Sequence, residues 1–272
     1  MNSAKQLVLG TLLLGFWHCT PPSPDIKVTL KELSLNELNI EEKVGQLFMV
    51  RYTGDYYRND AHRFQNVKRL ITERHLGGVI TFVGSVHGTV ANLNEFQSFS
   101  KIPLLVAADF ERGVGQKIDG ATLFPSNMAM AATGDPELSY EQGKITALEA
   151  RALGVHVTFS PVLDVNSNPQ NPIINFRSYG DSPEIVSKYG NAFIRGAQDH
   201  GLIACAKHFP GHGNTGVDSH STLPVITSDE ATFRKIDLAP FKAAVDAEVG
   251  MMMIAHIAIP DMDESRLPAT LS

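Results

Sequence analysis

Cysteine is nearly absent from the 272 residues: Cys19 and Cys205 lie far apart in stretches of different character, which supports neither a disulfide framework nor a cysteine-based zinc site. Long apolar runs are missing as well, since beyond the N-terminus none reaches the roughly 18 residues a spanning helix needs. No basic cluster occurs, and 23 Lys and Arg against 29 Asp and Glu leave a net charge of −6, which argues against nucleic acid as a partner. Internal repeats are lacking, and the only biased tract is a short Pro-rich one near the N-terminus. What remains is a globular balance, 43% hydrophobic and 19% charged, at a length that suits one large α/β barrel better than two small domains.

The first residues read as an address rather than as fold. Lys5 precedes an apolar run from Leu7 to Trp17, too short to span a membrane and placed where an export signal sits. Cys19 follows, and Thr20-Pro-Pro-Ser-Pro24 makes a stiff polar linker. The combination resembles a bacterial lipoprotein lipidated on its cysteine, although Phe16, Trp17 and His18 are bulkier than the residues usual before that cysteine. The expected organisation is a signal over 1–19, a linker over 20–33 and a barrel domain over 34–272. The protein is accordingly expected to be exported to the periplasm or cell surface and tethered to a membrane through Cys19. Its oligomeric state is left open.

From residue 34 onward, apolar strand-like runs alternate with amphipathic stretches. The runs are Gln46–Tyr52, Gly78–Phe82, Leu104–Asp109, Val157–Asp164, Ile203–His208 and Met251–His256. Helices are expected between them at Ala61–Glu73, Glu137–Leu153, Pro183–His200 and Ser228–Glu248, the first three closing through Gly77, Gly154 and Gly201. This rhythm predicts parallel strands joined by helices. Several strands also finish in residues that would be costly to bury: Asp109 and Glu111, Asp164 and Asn166, Lys207 and His208, and His256. In a TIM-type (β/α)8 barrel those ends share one face, where such folds place their chemistry. Taken singly, each could equally cap a helix or pair with a loop charge.

The segment Lys207–Pro224, KHFPGHGNTGVDSHSTLP, starts in an apolar strand and runs into a loop whose Gly211, Gly213 and Gly216 predict mobility. A phosphate-binding loop would need a Gly-Lys-Ser/Thr ending that is absent. A zinc site could draw on His208, His212, Asp218, His220 and His256, but no His-x-His or His-Glu-x-x-His pair occurs and the first strand supplies no ligand. The third option is acid–base chemistry by Asp218 and His220, two residues apart and able to share one side of an extended loop. A carboxylate bonded to one imidazole nitrogen fixes the tautomer and leaves the other to exchange a proton with a substrate. An Asx-turn beside a solvent-exposed histidine would produce the same spacing.

The stretch Lys207–Pro224 resembles the hallmark KHFPGHGxTxxDSHxxLP of glycoside hydrolase family 3, in particular its NagZ-type β-N-acetylhexosaminidases. Similar stretches are EEKVGQLFM from Glu41, GGVITF from Gly77, ATLFPSNMAMAATGD from Ala121, FSPVLDVNSNPQNPII from Phe159 and RSYG from Arg177. The resemblance implies a barrel and a retaining exo-β-N-acetylglucosaminidase acting on peptidoglycan- or chitin-derived oligosaccharides, with no cofactor and no metal. It implies His220 as general acid/base, Asp218 as its partner, and Asp109, Lys117, Arg177, Lys207 and His208 as sugar-binding residues. Within DFERGVGQK, Arg112 and Val114 stand where Gly and Arg are common, and Lys117 replaces a common Arg. A family 3 β-glucosidase-like specificity, a non-catalytic sugar-binding lipoprotein and a metal-dependent barrel hydrolase are the alternatives.

Counting strands gives about six βα units before Ser272, so the barrel is expected to be incomplete. The resemblance puts the nucleophilic Asp on the strand after the one ending at His256, outside this chain. Asp261, Asp263 and Glu264 fall in a polar loop and are not expected to replace it. The 272 residues alone are therefore expected to be poorly soluble and inactive.

Overall fold

A computed structural model describes residues 35–272. The signal at 1–19, Cys19 and the linker at 20–33 lie outside the described residues. A single 3-10 turn occupies Leu35–Glu37, and the body of the fold runs from Leu38 to Ser272.

Among the described residues the strands are β1 (Met49–Gly54), β2 (Gly78–Ser85), β3 (Leu105–Ala108), β4 (Ile118–Asp119), β5 (Val157–Thr158), β6 (Ile203–Phe209) and β7 (Met251–Ile254). Every pairing is parallel, in the order β1-β2-β3-β5-β6-β7, while the two-residue β4 adds to the end of β2. The helices are α1 (Ile40–Gly45), α2 (His62–Arg74), α3 (Val86–Phe99), α4 (Asn127–Ala132), α5 (Glu137–Ala152), α6 (Pro183–Gln198), α7 (Glu230–Ile236) and α8 (Ala239–Asp246). This is a partial (β/α)8 barrel with six successive barrel strands.

The strands read as continuous apolar runs because both of their faces are covered. Toward the inside, Ala107, Val157 and Cys205 pack with Met49, Ile80, Phe159, Met251 and Met253. Toward the helices, Val79, Val106, Ala204 and Ala206 join Phe64, Phe96, Phe193 and Phe241 in the main core. Helix α2 shows how the sequence builds that layer: Phe64, Val67 and Ile71 recur at helical spacing and are its buried residues. Helix α6 starts where Ser182 accepts the Ile185 N–H and Pro183 fits the first turn.

Several elements differ from expectation. The first strand is Met49–Gly54 rather than Gln46–Tyr52, because Gln46 closes α1, and α3 (Val86–Phe99) adds a helix that was not expected. The left-handed residue that closes α2 is His75, φ 54°, rather than Gly77, whereas Gly154 and Gly201 do take φ 84° and 78° after α5 and α6. The single helix expected over Ser228–Glu248 is two, α7 and α8, because Pro240 suits only the first turn of a helix and so opens a new one. The expected strand Val157–Asp164 pairs continuously only at Val157–Thr158. Pro161 has no N–H to give the ladder, and pairing resumes at an isolated bridge between Val162 and Lys207.

Candidate active site

Parallel strands bring their C-terminal ends to one side, and the charged residues there form a connected network. Lys207, buried near the end of β6, sits 2.8 Å from Asp109 Oδ1 and 2.7 Å from Glu111 Oε1. Glu111 also receives the Arg177 guanidinium as a fork, Nη2 to Oε1 at 2.8 Å and Nε to Oε2 at 3.0 Å. Burial alone would raise the Glu111 carboxyl, but Lys207 and Arg177 outweigh it and hold the group well below the usual carboxylate range. Arg177 stands in the 3-10 turn Asn175–Arg177 and braces itself on the Ile173 carbonyl at 3.2 Å. With Glu111 committed to both cations, Asp109 is the more exposed carboxylate, its side chain 26% accessible.

His208 is positioned from behind. Its Nδ1 lies 2.6 Å from Asp164 Oδ2, and its Nε2 is 3.4 Å from Arg177 Nη2. Asp164 is wholly buried and also accepts the backbone N–H groups of His208 and, at 2.6 Å, His212. Burial works against its charge, yet His208 and these N–H donors keep the Asp164 carboxyl below its ordinary value. Since an ionised carboxylate only accepts, the His208 proton sits on Nδ1 and Nε2 faces the cleft side.

The loop after β6 is fastened over its first half, contrary to the mobility that its glycines suggest. Asn171 Nδ2 donates to the carbonyls of His212 and Gly213 at 2.8 and 3.0 Å. Buried His212 bonds Thr215 Oγ1 through Nδ1 at 2.6 Å and Ser219 Oγ through Nε2 at 3.0 Å. Gly213 serves close approach, since a Cβ there would stand 1.7 Å from the Val165 carbonyl oxygen. Beyond this anchor the chain emerges at Asp218 and His220. Asp218 Oδ1 accepts both the His220 backbone N–H at 2.9 Å and His220 Nδ1 at 2.7 Å, so the Asx-turn and the carboxylate–imidazole pair coexist. The His220 N–H groups, backbone first, lower the Asp218 carboxyl. The His220 ring is 80% accessible, with Nε2 open to a substrate.

These groups share one cleft of about 720 Å³, lined by Asp109, Glu111, Lys117, Arg177, Lys207, His208 and His220, with Phe82, Phe159, Phe176 and Met253 as apolar walls. All seven sequence-derived site residues except Asp218 line it directly, and Asp218 touches it through His220. Lys117 lies 5.0 Å from the Phe82 ring centre. Among the described residues the carboxylates lining the cleft are Asp109 and Glu111, both held by Lys207; Asp261, Asp263 and Glu264 do not line it. Sequence reasoning marked Glu111 and Asp164 as strand-end polar residues without giving them a role in the site. Their position in the strand-end pattern was the available signal. What they hold depends on contacts across 66 and 44 residues of sequence. The five candidate zinc ligands each take a partner of their own: His208 pairs with Asp164, His212 with Thr215, Asp218 with His220, and His256 with Thr270.

The profile of the glycosyl hydrolase family 3 N terminal domain matches residues 39–272. Beta-hexosaminidase A of Pseudoalteromonas piscicida is 36% identical over 230 residues, which are 76% of this chain and 38% of that protein. The structure of a glycoside hydrolase family 3 beta-N-acetylglucosaminidase from Paenibacillus sp. str. FPU-7 superposes with a TM-score of 0.80 at 40% identity, over 86% of this chain and 45% of that one. NagZ from Neisseria gonorrhoeae, in complex with N-trifluoroacetyl-D-glucosamine, gives a TM-score of 0.72 at 27% identity, over 82% of this chain and 67% of that one. The chain thus spans about two fifths of the length of the first two.

Proposed function

Because the chain belongs to glycosyl hydrolase family 3, its residues 39–272 matching the N terminal domain, we propose that the protein is a retaining exo-β-N-acetylglucosaminidase acting on terminal β-linked N-acetylglucosamine. The observation that carries this reading is the Asp218–His220 pair, 2.7 Å apart at the rim of a cleft floored by Asp109, Lys207, Arg177 and His208. Relatives described as beta-hexosaminidases support the substrate class.

In this reading the floor binds hydroxyl groups, with Asp109 accepting and Lys207, Arg177 and Lys117 donating charge-assisted hydrogen bonds. Glu111 and Asp164 are positioning residues, the first fixing Lys207 and Arg177 and the second fixing His208. His220 Nε2 gives its proton to the leaving glycosidic oxygen as a carboxylate attacks the anomeric carbon. It then takes a proton from the water that releases the sugar, while Asp218 holds Nδ1 throughout. Asp109 and Glu111 are both tied to Lys207 and serve here in binding and positioning, and the family resemblance places the nucleophilic Asp on the strand after the one ending at His256. Export, a lipid at Cys19 and substrates from peptidoglycan or chitin complete the proposal. They are supported by the Leu7–Trp17 run and the Pro-rich linker.

The test is the full-length protein with His220→Ala. Turnover of alkyl N-acetylglucosaminides should fall by about 10²–10⁴-fold, and aryl substrates with very good leaving groups should be spared in the glycosylation step and rescued by azide. Equal loss on both substrates without rescue would refute the role. Intact mass from a native-like host reads the N-terminus, and an unmodified Met1 would remove the lipoprotein assignment.

A further inference from the structure

Phe176 is a wall of the cleft that the fold leaves uncovered: the residue is 53% exposed, although Ile174 two positions before it is fully buried. Burying a phenylalanine is strongly favourable, and the core does enclose Phe110 and Phe193. Among the described residues the Phe176 ring meets no other aromatic ring and no cation lies over it. Its place is nevertheless fixed. In the turn Asn175–Arg177 the Arg177 N–H donates to the Ile174 carbonyl at 2.8 Å, and the Ser178 N–H to the Asn175 carbonyl at 3.1 Å. Asn127 Nδ2 donates to the Arg177 carbonyl at 2.7 Å. Asn175 takes φ 41°, a left-handed conformation that a residue with a Cβ adopts at a cost and keeps only where its surroundings impose it. The turn sends neighbouring side chains to different places, Arg177 into its fork with Glu111 and Phe176 to the open wall.

The reaction sets where a leaving group must lie. Lys207 on the floor is 3% exposed, and the His220 ring stands 80% exposed at the mouth. A sugar whose hydroxyls meet the floor presents its glycosidic oxygen to His220 Nε2, so whatever lies beyond that oxygen occupies the mouth. Strand order β5-β6-β7 puts the segment after β5, with Phe176, beside the β6 loop that carries His220. Of the phenylalanines that line the cleft, Phe82 and Phe159 are half-buried and Phe176 is the exposed one. A β-linked N-acetylglucosamine ring carries its substituents equatorially and shows C–H groups on its faces. Laid against an aromatic ring, such a face removes apolar area of both from water and leaves the hydroxyls free.

We infer that Phe176 is the stacking platform of an aglycone subsite, which takes the leaving pyranose of a β-linked oligosaccharide and selects it over small alkyl leaving groups. This deepens the reading above and rests on it, since His220 fixes where the leaving group lies. N,N′-diacetylchitobiose and methyl β-N-acetylglucosaminide share the sugar held on the floor and differ in the leaving group. Both are assayed with the full-length protein, Phe176→Ala and Phe176→Tyr. Covering the exposed half of the ring is worth about five- to tenfold, so Phe176→Ala should lower kcat/KM by that factor more for the disaccharide than for the methyl glycoside. Comparing variants cancels the difference in leaving-group chemistry. Phe176→Tyr keeps the ring and should keep the preference, which separates lost stacking from lost folding. Equal loss on both substrates, or no recovery in Phe176→Tyr, would overturn the platform and leave the hydrolase standing. Calorimetric binding of thio-linked diacetylchitobiose and of N-acetylglucosamine reads the same contact without turnover. The disaccharide should bind about five- to tenfold tighter, an advantage that Phe176→Ala removes and Phe176→Tyr retains. That result with no glycoside hydrolysed would count against the hydrolase alone. Equal binding of the two ligands would overturn the platform, and binding of neither would sink both.

Discussion

Asp237 lies behind the active-site loop and tests the electrostatics of the fold. It caps α7, is buried, and has a carboxyl oxygen Oδ1 with no hydrogen-bond partner among the described residues. The turn at Gly211 presses directly on it, since a Cβ on that glycine would meet Asp237 Cβ at 2.8 Å. Burial, helped by the negative charge of Asp164, pushes its carboxyl from 3.8 up to about 7. Because the folded value is the raised one, the neutral carboxyl's contribution is fully present below the unfolded pKa. It is then lost as pH climbs from about 4 to about 7, because the unfolded chain gives up its proton first. At 1.36 kcal/mol per unit the full loss is a little over about 4 kcal/mol, of which about 3 kcal/mol falls between pH 4.5 and pH 8. Asp237→Asn keeps the shape and removes the titration. Urea unfolding of both proteins across that range should give a stability difference that moves in favour of the variant by about 3 kcal/mol as pH rises. Groups shared by the two proteins cancel in the difference. A difference that stays level within about 0.5 kcal/mol would show that Asp237 is solvated or paired and would refute the reasoning.

Three further outcomes are expected. Glu111→Gln leaves Lys207 and Arg177 short of a counter-charge and should cost about 3–5 kcal/mol in urea unfolding. It should also blunt the acid sensitivity of the fold, since a depressed carboxyl stabilises above its unfolded value near 4.5 and stops doing so as pH falls. Gly213→Ala, whose Cβ would strike the Val165 carbonyl, should destabilise the protein by about 1–3 kcal/mol and raise amide exchange at 212–216, whereas Gly216→Ala, 4.0 Å from its nearest neighbour, should change neither. Cys205, buried inside the barrel with its thiol pushed up to about 12 by burial, should resist alkylation at pH 8 in the folded protein and label on unfolding, as read by peptide mass.

The chain order of strands and helices was legible because both periodicities are strong: apolar runs such as Ile203–Phe209 alternate with patterned helices such as α2 and α6. The clustering of polar residues at strand ends followed from parallelism alone, and the neighbours Asp218 and His220 were close enough in sequence to pair locally. The break between α7 and α8 was visible in Pro240 but is easily overridden by the apolar pattern around it.

Local sequence determines spacing and propensity, so it specified the elements, their order and the short-range Asp218–His220 contact. Which charge meets which was decided only when strands distant in the chain lay side by side. Glu111 gathered Lys207 and Arg177, Asp164 took His208 and the turn at His212, and a loop with three glycines became anchored because Gly213 allows the Val165 carbonyl to come close. Such pairings depend on distances of a few ångströms across a burial gradient, and no residue pattern encodes these until the core has set the backbone in place.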